Sequence, residues 1–221
     1  MGMELSDIEA NLRNSDFQYR LKAISALKDY SVEIAVPLLL QHLHDPEFLV
    51  RTFVAMGLGK QQTAESFAAL LELMKFDNTP SVRAEAANSL SLFGRISAAH
   101  LVQACIQDDH WLVRRSIMAA LVDLECPDEL YDACLQSLSS DDAIVQAAAI
   151  DALATLAPTQ QAALALTQIL HHRHAPSWQV RQHVAYALKS FHHSDAQAAL
   201  IELRHDPDHR VAAAALETLL P

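Results

Sequence analysis

The sequence predicts an all-α protein, a right-handed α-α superhelix (solenoid) of about seven two-helix repeats. Three observations predict this fold. One pattern of residues returns every 31 to 35 positions along the chain, which is a period typical of stacked helical repeats. The apolar residues within each copy have the spacing of one helical face. Alanine and leucine dominate the apolar content and only 4 residues are glycine, a composition that favours helices.

Each repeat has an anchor residue near the start of its second helix. The anchors are Tyr19, Val50, Val82, Val113, Val145, Val180 and Val211. A leucine follows every anchor by eight positions, and a small residue precedes that leucine. The leucines are Leu27, Leu58, Leu90, Leu121, Leu153, Leu188 and Leu219. Positions 0, +4, +5 and +8 share one helical face, so we predict a buried face whose small residues let neighbouring helices approach closely.

A first helix precedes each of these second helices. We predict first helices at about 33–44, 64–76, 97–107, 127–139, 160–171 and 195–204. Asp45-Pro46 and Asp206-Pro207 have the pattern of an N-cap acid followed by proline at the first helical position. Repeat six carries three or four extra residues around 171–176, so its turn should bulge.

The uninterrupted register predicts a single domain. That domain spans residues 1–221, with repeats at approximately 1–30, 31–61, 62–94, 95–125, 126–157, 158–192 and 193–221. Ala212 replaces the arginine that follows the anchor in five other repeats, so we interpret the last repeat as an end cap. A repeat of this kind buries its apolar face only by stacking on its neighbours.

Charge and cysteine content exclude several classes of function. The 16 Lys and Arg are outnumbered by 27 acids, giving a net charge of −11, so we predict no nucleic-acid binding, which requires a basic surface. No apolar run approaches the roughly 18 residues of a membrane span, so we predict no membrane insertion. The polar start lacks a secretory signal and three cysteines cannot form a disulfide framework, so we predict a cytoplasmic protein.

Three segments carry a family resemblance. Residues 45–51, 77–83 and 108–114 each begin with aspartate and end in Val-Arg, and they resemble HEAT repeats. The short, alanine-rich version resembles the HEAT-like branch named after phycobilisome lyases. That resemblance implies a protein partner, such as a phycobiliprotein, another phycobilisome component or a second HEAT subunit. It implies no resident cofactor, with a bilin as a transient ligand.

The aspartates and arginines of this pattern form the first candidate site. They are Asp45, Asp77 and Asp108 with Arg51, Arg83 and Arg114. Charged hydrogen bonds between turn and second helix would tie the repeats together, and we interpret them as a structural ladder. The alternative, that the arginines bind an acidic ligand, stays open. Gln146 and Ala212 interrupt the arginine column, so the ladder should be weakest in repeats five and seven.

Aromatic and apolar residues on the second helices form the candidate binding surface. The residues at −2, +3 and +6 from the anchor should lie on the edge or on the concave side of the repeat array. The predicted binding residues are Phe48, Phe53, Met56, Trp111, Trp178, His183 and Tyr186. Aromatic anchors dominate interface energetics, although packing between successive turns explains the −2 residues equally well.

No residue pattern predicts catalysis. The chain has no P-loop, no nucleophile elbow and no His-Glu dipeptide, the pair with which HEAT-type hydroxylases hold iron. Cys105 and Cys134 stand at core-like helical positions. Eight of the 12 histidines lie in repeats six and seven, where helix-end placement, metal binding and pH sensing remain alternatives. We predict neither catalytic residues nor metal ligands.

These observations predict an adaptor that binds a partner protein in its concave groove. The resemblance implies that the adaptor acts in phycobilisome or phycobiliprotein handling. The alternative is a subunit of a phycobilin lyase that attaches a bilin to a phycobiliprotein.

Overall fold

The computed structural model describes residues 3–219, with side chains described through Glu217. Over this range the chain forms α-helices and short 3-10 turns, with no β-strand. The helices are α1 (Leu5–Leu12), α2 (Phe17–Ala26), α3 (Val32–Leu40), α4 (Phe48–Gln61), α5 (Ala64–Phe76), α6 (Pro80–Ser91), α7 (Ala98–Gln107), α8 (Trp111–Asp123), α9 (Pro127–Leu138), α10 (Ala143–Ala154), α11 (Ala162–His171), α12 (Trp178–Leu188), α13 (Ser194–Leu203) and α14 (His209–Leu219). The predicted fold class is confirmed.

The chain divides into two compact units, Met1–Ala104 (unit 1) and Cys105–Pro221 (unit 2). Within each unit, first helices (odd numbers) alternate with second helices (even numbers). In unit 1, α4 packs against α2 and α6, and in unit 2, α12 packs against α10 and α14. The single domain expected from the register stays a prediction.

The anchors and the leucines eight positions later form the core of the repeats. The six valine anchors and the leucines from Leu27 to Leu188 are all buried, while Leu219 lies beyond the described side chains. Tyr19 is the exception, because 45% of its surface is exposed. Its ring lies 5.5 Å from Nζ of Lys22 on the same helix. The prediction of a buried anchor is therefore wrong for the first repeat.

Every second helix begins two residues before its anchor. The N-cap of α4 is Glu47, whose side chain accepts a hydrogen bond from the backbone N–H of Leu49. The predicted N-cap role of Asp45 is therefore wrong, and α14 begins at His209, three residues after Asp206. Asp45 instead accepts from the N–H of Glu47 and from an arginine of the preceding repeat.

The arginine after the anchor joins its repeat to the following one. Nε and Nη2 of Arg51 donate to the two carboxylate oxygens of Asp77 at 2.6 and 3.0 Å. Its Nη1 donates to the main-chain oxygen of Asp45 at 2.7 Å. The same arrangement recurs in the pairs Arg20–Asp45 and Arg181–Asp206. The carboxylate thus comes from the next repeat, and the aspartate six residues earlier contributes only its main-chain carbonyl.

The aspartate column of this ladder is interrupted in the middle of the chain. Repeats five and six have Ser140 and Ala175 where repeats two, three, four and seven have aspartate. Arg114 keeps the bond to its own turn, donating to the main-chain oxygen of Asp108 at 2.6 Å. Gln146 does the same toward Ser140 at 2.8 Å. The missing carboxylates therefore weaken the ladder at the junctions after repeats four and five. The arginine column alone predicts the weakest ladder in repeats five and seven.

The second helices α4 and α6 run parallel and approach closely. Near their N-termini Arg51 donates to Thr79 Oγ1 at 3.2 Å, and at their C-termini the Gln62 side chain donates to the Leu92 carbonyl at 2.8 Å. A Cβ added at Gly59 would lie 2.7 Å from Ser89 Cβ and 3.1 Å from its Cα. Only glycine permits this separation, because side-chain and backbone atoms of Ser89 fill the space.

We expect the Gly59→Ala variant to lower the free energy of unfolding by about 1–3 kcal/mol, because overpacking forces α4 and α6 apart. Gly57→Ala is the matched control. Its Cβ would meet only the methyl groups at the end of the Leu39 side chain, at 2.9 and 3.0 Å, which shift at a lower cost than backbone, and alanine improves helix propensity by about 1 kcal/mol. Urea unfolding checks both variants, and equal stability of Gly59→Ala and Gly57→Ala would contradict the close packing.

Candidate protein-binding face

The second helices present one exposed stripe, at positions −1, +3, +6 and +10 from each anchor. We name this stripe the helix-B face and describe it separately in the two units. In unit 1 its central part consists of Leu49, Phe53, Met56 and Lys60 on α4, and of Ser81, Glu85, Asn88 and Leu92 on or directly after α6. These positions face away from the buried anchors, because −1, +3, +6 and +10 lie on the opposite side of a helix from +4 and +8.

The helix-B face of unit 1 is apolar. Met56 is 39% exposed and Leu92 is 52% exposed. Leu49 is also exposed and Phe53 is half-buried. Four large apolar side chains at neighbouring surface positions are unusual outside interaction sites.

The helix-B face of unit 2 has fewer apolar residues and they are more widely separated. Ile144 on α10 is 52% exposed and Tyr186 on α12 is 43% exposed. Leu112 on α8 is half-buried.

A hydrogen-bonded pair crosses the unit 2 face between α10 and α12. Nδ1 of His183 lies 2.7 Å from Oδ1 of Asp151. The hydrogen bond to Asp151 raises the pKa of His183, and burial of the ring opposes this only in part. The pair therefore favours the protonated form of the histidine.

The aromatic residues at −2 stand at the first position of their helices, on the edge of the helix-B face. Phe48 is 40% exposed. Trp111 stacks on His110 with ring centroids 5.9 Å apart. Trp178 is covered by the guanidinium of Arg210, 3.2 Å from its ring centroid. The two tryptophans thus have partners within the chain, and Phe48 is the most exposed of the three.

Sequence reasoning overlooked Leu49, Ile144 and Leu92. Leu49 and Ile144 stand at −1, four residues before the +3 position, so they lie on the same side of the helix as the predicted +3 residues. Leu92 stands at +10, four residues after +6. Extending the outward stripe by one turn in each direction would have found all three.

Negative charge is concentrated on the first helices. The seven first helices carry ten Asp and Glu and one lysine, whereas the second helices carry nine Lys and Arg and four acids. Most helical acids therefore lie on the first helices, while the helix-B-face positions of the second helices carry four acids and three cations. Local charges decide which partner fits this face.

Two pockets of about 280 and 390 Å³ lie beside the turns between first and second helices. The smaller one, in unit 1, has His44 Nε2 3.3 Å from Glu72. The larger one, in unit 2, has His174 Nε2 3.4 Å from Glu202 and includes His205. Among the described residues no group of three or more His, Cys, Asp or Glu is arranged to hold a metal ion.

The two helical cysteines at core-like positions, Cys105 and Cys134, lie in the core. Cys105 and Cys134 are fully buried, and burial raises the pKa of both thiols. A raised pKa disfavours the thiolate, which is the reactive form.

Comparison with known proteins places these helices in a family. The profile of the HEAT repeats matches residues 6–91 and 163–220. No curated protein matches the chain significantly in sequence. No helix of the described residues is both long and apolar enough to cross a membrane.

Solved structures of other helical-repeat proteins are similar. The complex of CpcE and CpcF of phycocyanin lyase from Nostoc sp. PCC7120 matches with 20% identity and a TM-score of 0.53, covering 99% of this chain and 88% of that chain. An engineered protein matches with 18% identity and a TM-score of 0.50, covering 96% and 67%. Human deoxyhypusine hydroxylase in complex with glycerol matches with 18% identity and a TM-score of 0.48, covering 97% and 95%. At these identities the first two similarities, with TM-scores of 0.53 and 0.50, show the fold.

We expect the Asp151→Asn variant to lower the pKa of His183 toward its ordinary value of about 6.5, because the carboxylate that favours the imidazolium is removed. In the wild type, the raised pKa of His183 stabilises the folded state. This stabilisation is complete at pH values below the pKa of His183 in the unfolded chain, and it is lost as the pH rises through its pKa in the folded protein. The stability difference between wild type and variant should therefore shrink above neutral pH. NMR titration of the His183 ring checks the pKa, with Asp132→Asn on α9 as control, and an identical titration in Asp151→Asn would contradict the pairing.

Proposed function

We propose that this chain, which belongs to the HEAT-repeat family, is a cytoplasmic adaptor that binds a partner protein along its helix-B face. The observation that carries the proposal is the exposed apolar stripe on the second helices. Leu49, Phe53, Met56 and Leu92 supply it in unit 1, and Ile144 and Tyr186 supply it in unit 2.

The stripe favours binding over a purely structural role. Exposed apolar surface is stabilised by removal from water, by about 25 cal/mol per Å². The residues of the stripe do not serve the packing of the repeats, because the anchors, the leucines and the small residues on the opposite side do so. Aromatic side chains and methionine are also the types enriched at the centres of protein interfaces.

We propose that the partner belongs to phycobilisome or phycobiliprotein handling. It would be a phycobiliprotein, another phycobilisome component or a second HEAT subunit. Support comes from the fold shared with a phycocyanin lyase over 99% of the chain, in a structure where two proteins, CpcE and CpcF, form a complex.

We expect Phe53→Asp with Tyr186→Asp to abolish partner capture while leaving helicity and the melting temperature nearly unchanged. Tyr186 is exposed and Phe53 is half-buried, so a new carboxylate at either position keeps contact with water in the free protein and loses it in the complex. Capture of the tagged chain from its native lysate, followed by mass spectrometry, checks this. Phycobiliproteins or other phycobilisome components should appear with wild type and be absent with the variant.

The matched control places the same change on the first helices. Val32→Asp with Leu164→Asp introduces two carboxylates at exposed apolar positions of α3 and α11 and should leave capture unaffected. Equal loss of capture in both double variants would mean that the helix-B face is not the binding surface. Capture of an unrelated complex would reject the proposed pathway and keep the face.

The alternative is a subunit of a phycobilin lyase, which the shared fold also supports. If the chain handles a bilin, adding phycocyanobilin to the purified protein, alone or with a second HEAT subunit, should change the visible absorbance of the bilin. It should also speed bilin attachment to an apo-phycobiliprotein. An unchanged spectrum and rate in both conditions would leave the adaptor role.

A further inference from the structure

Glu85 lies within the apolar helix-B face of unit 1. Gly59 on α4 faces Ser89 on α6, with only 2.7 Å between a Cβ at Gly59 and that of Ser89. Met56 precedes Gly59 by three residues and Glu85 precedes Ser89 by four, which is one helical turn in each case. Because α4 and α6 run parallel, Met56 and Glu85 lie at the same height on neighbouring helices.

The Glu85 carboxyl is half-buried and has no cation beside it. The groups that bond it are neutral, namely the side chains of Asn88 and Ser89, with Ser89 Oγ 3.5 Å from Oε1. Among the described residues no Lys, Arg or His forms an ion pair with Glu85, and burial raises its pKa. A carboxylate withdrawn from water without a positive partner is unfavourable.

The acid on the other face is neutralised within the chain. Asp151 stands on the unit 2 face, and His183 on the neighbouring second helix bonds it at 2.7 Å. On α4 of the unit 1 face, Phe53 and Met56 stand at +3 and +6, and Lys60 at +10 is not among the groups that shift the pKa of Glu85. The chain therefore leaves the charge of Glu85 to be neutralised by something outside it.

Resting on the proposed function, we infer that the unit 1 face binds an amphipathic segment of its partner that inserts apolar side chains beside Leu49, Phe53 and Met56 and places a lysine or arginine against Glu85. The apolar contacts supply most of the affinity, because they remove hydrocarbon from water. The cation supplies selectivity, because a bound segment without it buries Glu85 further with no partner.

Local charge complementarity favours this occupant over an uncharged or acidic one. An acidic residue at the same place in the partner would face the Glu85 carboxylate in a site from which water is excluded, and like charges repel strongly there. An apolar residue would leave the carboxylate desolvated and unpaired. A basic residue alone restores the interaction that Glu85 has with water in the free protein.

Selection from a displayed library of random twelve-residue peptides tests this without a known partner. The bait is the complete chain, as wild type, Glu85→Lys, Phe53→Asp and Met56→Glu. Met56→Glu alters an exposed residue and keeps the test valid if Phe53→Asp fails to fold, which circular dichroism would reveal. Glu65→Gln removes an exposed carboxylate in the first turn of α5 and serves as the control.

We expect wild type and Glu65→Gln to select peptides that combine apolar residues with a lysine or arginine at a fixed spacing. Glu85→Lys should select acidic residues at that place. Phe53→Asp and Met56→Glu should select nothing above background. In a selected peptide, replacing the basic residue by norleucine should weaken binding to wild type by at least tenfold, measured by fluorescence anisotropy, and should matter far less in Glu85→Gln.

The outcomes separate this inference from the proposed function. Apolar peptides with no basic preference, lost in Phe53→Asp and Met56→Glu, would overturn the role of Glu85 and keep the binding face. Peptides selected equally by all baits, or by none of them, would overturn the face itself. A basic preference that persists in Glu85→Lys would assign the cation to a different carboxylate.

Discussion

The hydrogen bonds of the arginine that follows five of the seven anchors determine how one repeat packs on the next. In Arg51 a single guanidinium joins the main-chain carbonyl of its own turn to both oxygens of a carboxylate in the following repeat. The planar fork of arginine fits a carboxylate in one orientation, so the contact fixes distance and rotation together. Because both partners are largely shielded from water, either group without the other would be a buried charge, which costs about 3–5 kcal/mol.

A fixed register between repeats determines which residues become surface. The guanidinium relay places neighbouring second helices parallel, and the small residues opposite each other, such as Gly59 and Ser89, bring them close. Close approach leaves no room between the helices for large side chains. Large apolar residues at −1, +3 and +6 therefore point outward, so Leu49 and Met56 are exposed as a consequence of the same packing that buries Val50 and Leu58.

The sequence predicted the features that repeat and missed those that depend on a distant partner. Helix α5 was predicted with its observed bounds, and the valine anchors were predicted as core, because both follow from a local period. The role of Asp45 was predicted wrongly because a local N-cap pattern competes with Arg20, 25 residues away. No single-helix pattern could show that Glu85 lies at the height of Met56, since this depends on how α4 pairs with α6.

The two faces differ in whether their acidic residue has a basic partner within the chain, and this difference affects binding. On the unit 2 face, Asp151 and His183 form a hydrogen-bonded pair in which the carboxylate raises the pKa of His183. On the unit 1 face, Glu85 has no such partner. A segment bound to unit 1 must therefore bring its own cation, whereas one bound to unit 2 meets an acid that already has a hydrogen-bond partner within the chain. With similar apolar contacts, unit 1 would then select segments that carry a basic residue, whereas unit 2 would accept segments with or without one.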